Sequence, residues 1–374
     1  MPELYIGMMS GTSADGIDAV IVETSFANNR FRLIATHSQP FSATTKQQIE
    51  SLFDPSNTEI DRLGELDRVL GHLYGECALA LLTQANISAS AITAIGNHGQ
   101  TLRHRPNNPH PFSLQVGDAA TLAAATGIPV ISDFRRADIA RGGQGAPLAP
   151  GFHQAQFRHA SEYSCIINIG GIANITLLPP EASPSEAINK NVTGWDTGPG
   201  NGLMDGWINK TKGLPFDDSG NWAAQGTIDH ALLAQLLTHP YFAKHPPKST
   251  GKEEFTLSWL LRYTKSHELR PEDVQRTLLE LTARTIAQAL QAHAVDAAYV
   301  CGGGAYNKTL LLRLAVLCPN IKIATTDDLG IAPTWVEAAA FAWLAHQFWH
   351  KLPGNLPSVT GARQAAVLVT LTYP

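Results

Sequence analysis

Residues 5–23 read YIGMMSGTSADGIDAVIVE. Both ends are apolar and strand-like. The middle is Ser10, Gly11, Thr12, Ser13, Ala14, Asp15 and Gly16, with Asp18 two residues on. A surface hairpin needs only a turn, whose Asp and Ser would satisfy the turn's own amides. This stretch carries more polar chemistry than that. Backbone N–H groups in a tight Gly/Ser/Thr turn can converge on an anion. The hydroxyls of Ser10, Thr12 and Ser13 add donors, and Gly11 and Gly16 allow close approach. Asp15 and Asp18 cannot favour a bare phosphate, but they suit Mg²⁺. On these residues alone, a phosphate grip and an ordinary hairpin both remain open.

The theme returns at residues 164–178, SCIINIGGIANITLL, again strand, glycines, a polar Asn174 and strand. Alone, Gly170 and Gly171 could mark a bulge. A third glycine run, VCGGGAYN at 300–307, also ends an apolar strand. Two of these loops could clasp phosphates and the third underlie an adenosine. The repeat of the first theme suggests two similar domains facing each other. Helical spacing predicts helices over 59–86, 117–127, 272–294 and 334–349. Residues 31–41 and IPVISDF read as strands, and AITAIGNHGQT as a strand ending in a polar loop at 96–101. Residues 133–153 read as a long glycine-containing loop and 179–190 as an exposed one. Alternating strands and helices make the class α/β.

A chain of 374 residues suggests two domains. Net charge is −5 with no run of Lys and Arg, so nucleic acid and membrane are poor partners. Cys77, Cys165, Cys301 and Cys318 form no Cys-x-x-Cys pair and point to a reducing, cytoplasmic setting. No signal peptide or membrane span is indicated. A Walker loop, a Gly-x-Gly-x-x-Gly opening a helix and a His-Glu-x-x-His are all missing. Ser249-Thr250-Gly251-Lys252 matches Ser-x-x-Lys without its companion motifs and reads as chance.

TGWDTGPGNGLMDGW at 193–207 sets Asp196 beside a Gly-Pro-Gly turn. A carboxylate on such a rigid loop could be a general base. It could equally accept turn amides, or cap a helix near 200–210. Glu337 lies three residues after Thr334, a capping-box spacing. His98 and Gln100 follow a strand, where α/β folds often bind ligands. Asp133, Arg135, Arg136, Asp138 and Arg141 read as surface salt bridges, or as an Arg facing a substrate carboxylate.

The two hairpins and the third glycine loop resemble the acetate and sugar kinase/heat-shock protein 70/actin superfamily. MSGTSADGID, GNHGQT, GDAATLAAATGIPVISDFRRADIARGGQGAPLAP, NIGGIANIT, DTGPGN and PTWVEAAAFAWLA resemble, in order, the anhydro-N-acetylmuramic acid kinase family. Where the superfamily usually begins its second hairpin with Asp, this chain has Asn168, so Asp196 is expected to carry the carboxylate duty.

The resemblance implies a two-domain, actin-like (ribonuclease H-like) fold with an active-site cleft between the domains. The expected domains are 1–130 with about 336–374, and 131–335. It implies ATP and Mg²⁺, and a reaction that opens the bridge of 1,6-anhydro-N-acetylmuramic acid and phosphorylates O6, in cell-wall recycling. Asp196 is the implied base and Glu337 an assistant. ATP is expected at Gly11, Thr12, Ser13, Ala14, Asp15, Gly16, Ile17, Asp18, Gly170, Gly171, Asn174, Gly302, Gly303, Gly304 and Asn307, with Asp15 and Asp18 toward the metal. The sugar is expected at His98, Gln100, Asp133, Arg135, Gly198 and Asn201. A homodimer is also expected. The rivals are another sugar or small-acid kinase of the superfamily and an ATP-switched interaction protein.

Overall fold

A computed structural model describes residues 2–11, 13–25, 30–53, 59–181, 191–246, 248–251, 254–264, 269–368 and 370–374. Thr12 and residues 182–190 of the expected exposed loop therefore lie outside the described residues. Strands come in chain order: β1 (Leu4–Ser10), β2 (Gly16–Ser25), β3 (Arg30–Pro40), β4 (Ile92–Arg105), β5 (Phe112–Val116), β6 (Val130–Ser132), β7 (Ser164–Ile169), β8 (Ile172–Leu178), β9 (Thr193–Pro199), β10 (Ala297–Cys301), β11 (Lys322–Thr325) and β12 (Thr370–Thr372).

The chain forms two compact units, Met1–Gln156 with Trp335–Pro374, and Phe157–Thr334. The first carries the sheet β12-β6-β4-β1-β2-β3, with β5 paired to β4; the second carries β11-β10-β7-β8-β9. In each, an antiparallel meander of three strands is extended by parallel strands on its first member, β4 on β1 and β10 on β7. The internal repeat is thus a repeat of topology, and the fold class is α/β. The boundary lies later than 130. Strand β6 pairs with β4 and β12, which carries residues 131–156 with the first unit.

Helix Val336–Trp349 lies on β1 and β4, the strands that position much of the site. It approaches closely because two paired positions are glycine. A Cβ on Gly7 would stand 2.0 Å from the Ala338 carbonyl oxygen, and one on Gly96 2.1 Å from that of Phe341. The other face of the sheet packs on helix Glu59–Ala85 through Leu66, Leu70 and Cys77. Ile60 and Val69 on that helix are exposed. In the second unit, helix Pro271–Gln291 starts on a proline at its first turn and buries Val274, Leu278, Leu281, Ile286 and Leu290.

Three expectations are corrected. Residues 96–101 are not a loop: β4 runs unbroken to Arg105, paired to β1 and then to β5, with Asn97, His98 and Gln100 buried inside the sheet. Residues 133–153 contain a helical turn at Arg136–Ile139 and the start of a helix at Ala149. Residues 193–199 form an edge strand, β9, so Asp196 sits on a strand. Glycine, proline and aspartate are depleted in strands, and only an edge tolerates a terminal Pro199.

Candidate active site

In the first unit the site begins at the β1–β2 turn. The Ala14 N–H donates to the Gly11 carbonyl at 3.1 Å and closes the turn. Ala14 is fully buried and has φ +52°, a left-handed backbone that is uncommon without glycine and gathers at functional sites. Ile17 points into the core, so only its backbone can face a ligand. Gln100 is wholly buried; its Oε1 accepts from the Ser10 hydroxyl and its Nε2 donates to the Gly11 carbonyl at 3.2 Å. Expected at the sugar, its amide holds the end of β1. Asp15 is exposed and paired with Lys46. Asp18, on β2, is half-buried; burial raises its pKa, opposed by a hydrogen bond with Ser38.

A second cluster gathers His98, Arg135 and Glu337. Arg135 donates through Nη2 to His98 Nε2 at 2.8 Å and through Nη1 to the Gly145 carbonyl at 2.7 Å. A guanidinium only donates, so Nε2 is the acceptor and the ring is neutral. Burial and the Arg135 charge hold the His98 pKa well below its ordinary value. Burial lowers Arg135 to about 10, with Glu337 and Asp138 drawing it back. Glu337 lies in the first turn of its helix, where the helix dipole favours a carboxylate. The capping box does not form: a short turn at Pro333–Trp335 makes Trp335 the cap, without a side-chain bond.

Asp138 is fully buried. It accepts from the Gly145 N–H at 2.8 Å, Asn355 Nδ2 at 2.6 Å and Thr360 Oγ1 at 2.7 Å. It thereby staples the glycine loop 142–145 under Arg135, which is no surface salt bridge. Asp133 has φ +58° and stands 3.5 Å from Arg136; burial raises its pKa and Arg136 opposes.

In the second unit, Asn168 on β7, Asn174 on β8 and Asp196 on β9 are cross-strand partners in one row. Asn168 Oδ1 is buried and has no hydrogen-bond partner among the described residues. Asp196 caps no helix and accepts no amide of its own turn. Its Oδ2 accepts from the Thr250 N–H at 2.8 Å, and its carbonyl accepts from the Tyr241 hydroxyl at 2.7 Å. Burial pushes its pKa up to about 7, only partly offset by the Thr250 N–H and the nearby Lys248 charge. The sequence gives no signal for Tyr241 or Lys248; Thr250 lies in the segment 249–252, whose Ser-x-x-Lys match reads as chance.

The turn Gly170-Gly171 is tied by backbone to residues 200–202. The Gly200 and Gly202 N–H groups donate to the Gly171 carbonyl at 3.0 and 3.1 Å, and the Asn201 N–H to the Gly170 carbonyl at 2.7 Å. Asn201 Nδ2 donates to the Ile169 carbonyl at 3.3 Å, so this side chain also serves the turn. Gly302, with φ +75°, would place a Cβ 2.4 Å from Asn168 Oδ1, and Gly304 is equally close to Ile169. Gly303 stands near Asn201. The second and third glycine loops are therefore neighbours. Asn307 caps helix Lys308–Leu317 by accepting from the Leu310 N–H at 3.0 Å. Gly198, at φ +149°, lies against Phe242.

The family described as anhydro-N-acetylmuramic acid kinase matches residues 3–374. A protein of that name from Coxiella burnetii (strain Dugway 5J108-111) is 48% identical over 368 residues, 98% of this chain and 96% of its own. One from Shewanella pealeana (strain ATCC 700345 / ANG-SQ1) is 50% identical over 372 residues, 99% of this chain and 98% of its own. Among solved structures, the chain is distantly similar to the activator of the 2-hydroxyisocaproyl-CoA dehydratase from Clostridium difficile with bound ADPNP. The TM-score is 0.45 at 13% identity, covering 91% of this chain and 92% of that one.

Proposed function

The chain belongs to the anhydro-N-acetylmuramic acid kinase family, and on that premise we propose that it opens the bridge of 1,6-anhydro-N-acetylmuramic acid and phosphorylates O6. The products are N-acetylmuramate 6-phosphate and ADP, as cell-wall recycling requires. The observation that carries this reading is Asp196, a carboxylate steadied by one backbone N–H, with a pKa near the working pH. A base is most effective when its pKa lies close to that pH.

Asp196 takes a proton from water as the water oxygen bonds to the anomeric carbon. The bond from that carbon to O6 breaks, and its electron pair stays on O6. O6 then bonds to the γ-phosphorus of ATP while the β–γ bridging oxygen leaves with ADP. Each half supplies what the other lacks: a leaving group on one side, a nucleophile on the other. The buried Asn168 Oδ1 suits a water or a sugar hydroxyl as its donor. Glu337 assists at the sugar, and Arg135 with the strained Asp133 orients it.

The first hairpin would hold the phosphates, with its turn shape kept by Gln100. Mg²⁺, when bound, neutralises charge on the transferring phosphoryl group. Asp18 fits as its carboxylate, because a cation offsets the burial that raises its pKa. Asp15 already has Lys46 as its cation, so its part in holding the metal is secondary. A homodimer in the cytoplasm completes the proposal. The four cysteines, all buried and in no disulfide among the described residues, suit a reducing compartment. Among the described residues, no helix is long and apolar enough to cross a membrane.

The test is turnover of the anhydro sugar with Mg-ATP in ¹⁸O water. Prompt mass analysis should find ¹⁸O at the anomeric hydroxyl and phosphate on O6. ADP release indifferent to the sugar would overturn the reading. Phosphorylation of a free sugar hydroxyl without ¹⁸O uptake would replace it with an ordinary sugar kinase.

A further inference from the structure

Among the described residues, one group of three lies far from the chemistry above and has the spacing of a metal site. Glu3, His346 and His350 each offer a ligand atom, and all three atoms lie within 4.8 Å of one another. His346 and His350 are one helical turn apart on Val336–Trp349 and its C-terminal cap, so they share a face. Glu3 directly precedes β1. The contact of that helix with β1 therefore builds the cluster from both chain ends.

The three side chains are held in place. The His346 ring meets Tyr5 and Phe31 edge-on, at centroid distances of 5.5 and 5.3 Å, and lies 4.5 Å from the His350 ring. Glu3 Oε2 accepts from the Tyr5 hydroxyl at 2.8 Å and faces His350 Nε2 at 2.8 Å. A Glu3–His350 ion pair would explain two members of the cluster. It does not explain why a second, more buried imidazole is brought to the same point. Burial, with His350 beside it, lowers the His346 pKa to about 4. Burial opposes ionisation of Glu3, but its hydrogen bonds with His350 and Tyr5 outweigh it and keep the carboxylate charged.

We propose that Glu3, His346 and His350 form a binding site for a borderline divalent transition-metal ion of the Zn²⁺, Co²⁺ or Ni²⁺ class. Two imidazoles and one carboxylate suit such ions and not Mg²⁺, which prefers oxygen ligands and water. Three protein ligands leave one tetrahedral position to solvent. The ion clips the start of β1 to the end of the last long helix. Both elements carry site residues at their other ends: Ser10 lies about 23 Å along β1 from Glu3, and Glu337 about 14 Å along the helix from His346. The clip is therefore structural and apart from the reaction.

The full chain, free of any histidine tag, is titrated with Co²⁺ in excess Mg²⁺, which occupies the oxygen sites. The expected result is one Co²⁺ per chain at micromolar concentration, with visible absorption of a low-coordinate imidazole complex. His350→Ala, at an exposed position, should weaken binding at least ten-fold. Glu3→Gln should weaken it several-fold, and turnover should be unchanged in both. Zn²⁺ should raise the Tm of the wild type and not of His350→Ala. No Co²⁺ spectrum, or binding that neither variant alters, would overturn the proposal. A normal Tm of each variant without metal shows that the loss is not unfolding.

Discussion

The two sheets share a topology and place their carboxylates differently. In the first unit the row of cross-strand partners below the turn is Met9, Asp18 and Ser38; in the second it is Asn168, Asn174 and Asp196. Asp18 and Asn174 are each the third residue of the middle strand. The acid has moved from the middle strand to the third. The turns differ as well. The first turn carries Ser13 and the exposed carboxylate of Asp15, and the Gln100 side chain bonds to Ser10 and Gly11 at its start. Gly170-Gly171 has no side chain to present and is fastened by backbone to residues 200–202. One topology thus supports a turn held by side-chain bonds and a turn fastened by backbone.

The largest effect should fall on the displaced acid. Asp196→Asn keeps an acceptor for the Thr250 N–H and removes the base, so kcat should fall by about 10²–10⁴-fold. In the wild type, kcat/KM should decline below pH 7 as Asp196 takes up its proton. Stability should move the other way. A carboxyl whose folded pKa is raised favours the fold while protonated, and this contribution is lost as pH rises through 7. Thermal melts should therefore show Asp196→Asn gaining more over the wild type at pH 8 than at pH 5.5. A variant that retains full turnover would place the base elsewhere.

The next test separates the two turns by glycine. A Cβ on Gly200 would stand 2.3 Å from the Gly170 carbonyl oxygen, whereas one on Gly11 would meet only Ser13 Oγ, at 3.8 Å. Gly200→Ala should cost about 1–3 kcal/mol, the usual range for overpacking, and raise the KM for ATP. Gly11→Ala should leave urea unfolding within about 0.5 kcal/mol of wild type. Equal costs would erase the distinction between the turns.

Gln100→Ala comes third. It leaves the Ser10 hydroxyl and the Gly11 carbonyl without their partner, a loss of about 1–3 kcal/mol for buried groups. If Gln100 shapes the phosphate turn, ATP affinity should fall more than sugar affinity in isothermal titration. The reverse order would return Gln100 to the sugar. The smallest effect belongs to Lys46→Ala. Its pair with Asp15 is solvent-exposed, and such pairs contribute about 0–1 kcal/mol, so the melting curve should barely move.

Legibility followed the range of the interactions. The helices at 59–85, 271–291 and 336–349 could be read because a helix buries a face that recurs every few residues. The Gly127 stop was local too: φ is +69° there, as a helix C-terminus prefers. Residues 96–101 were misread because their polar side chains are satisfied inside the sheet by partners remote in sequence. Gln100 bonds to Ser10, and His98 to Arg135. Strand β9 was missed because pairing with β8, and not strand propensity, makes it a strand.

The sequence by itself determined the α/β class, the repeated strand–turn–strand theme, the family and the candidate acids Asp196 and Glu337. These rest on residue type and short spacing, which a chain displays before it folds. Only the tertiary structure decided what those residues can do. It brought Thr250 and Tyr241 to Asp196, set Arg135 against His98 and within the influence of Glu337, and gave Gln100 and Asn201, both expected at the sugar, bonds that support the two turns. The physical reason is that a pKa and a hydrogen bond depend on burial and on neighbours tens to hundreds of residues away, and no local pattern carries that information.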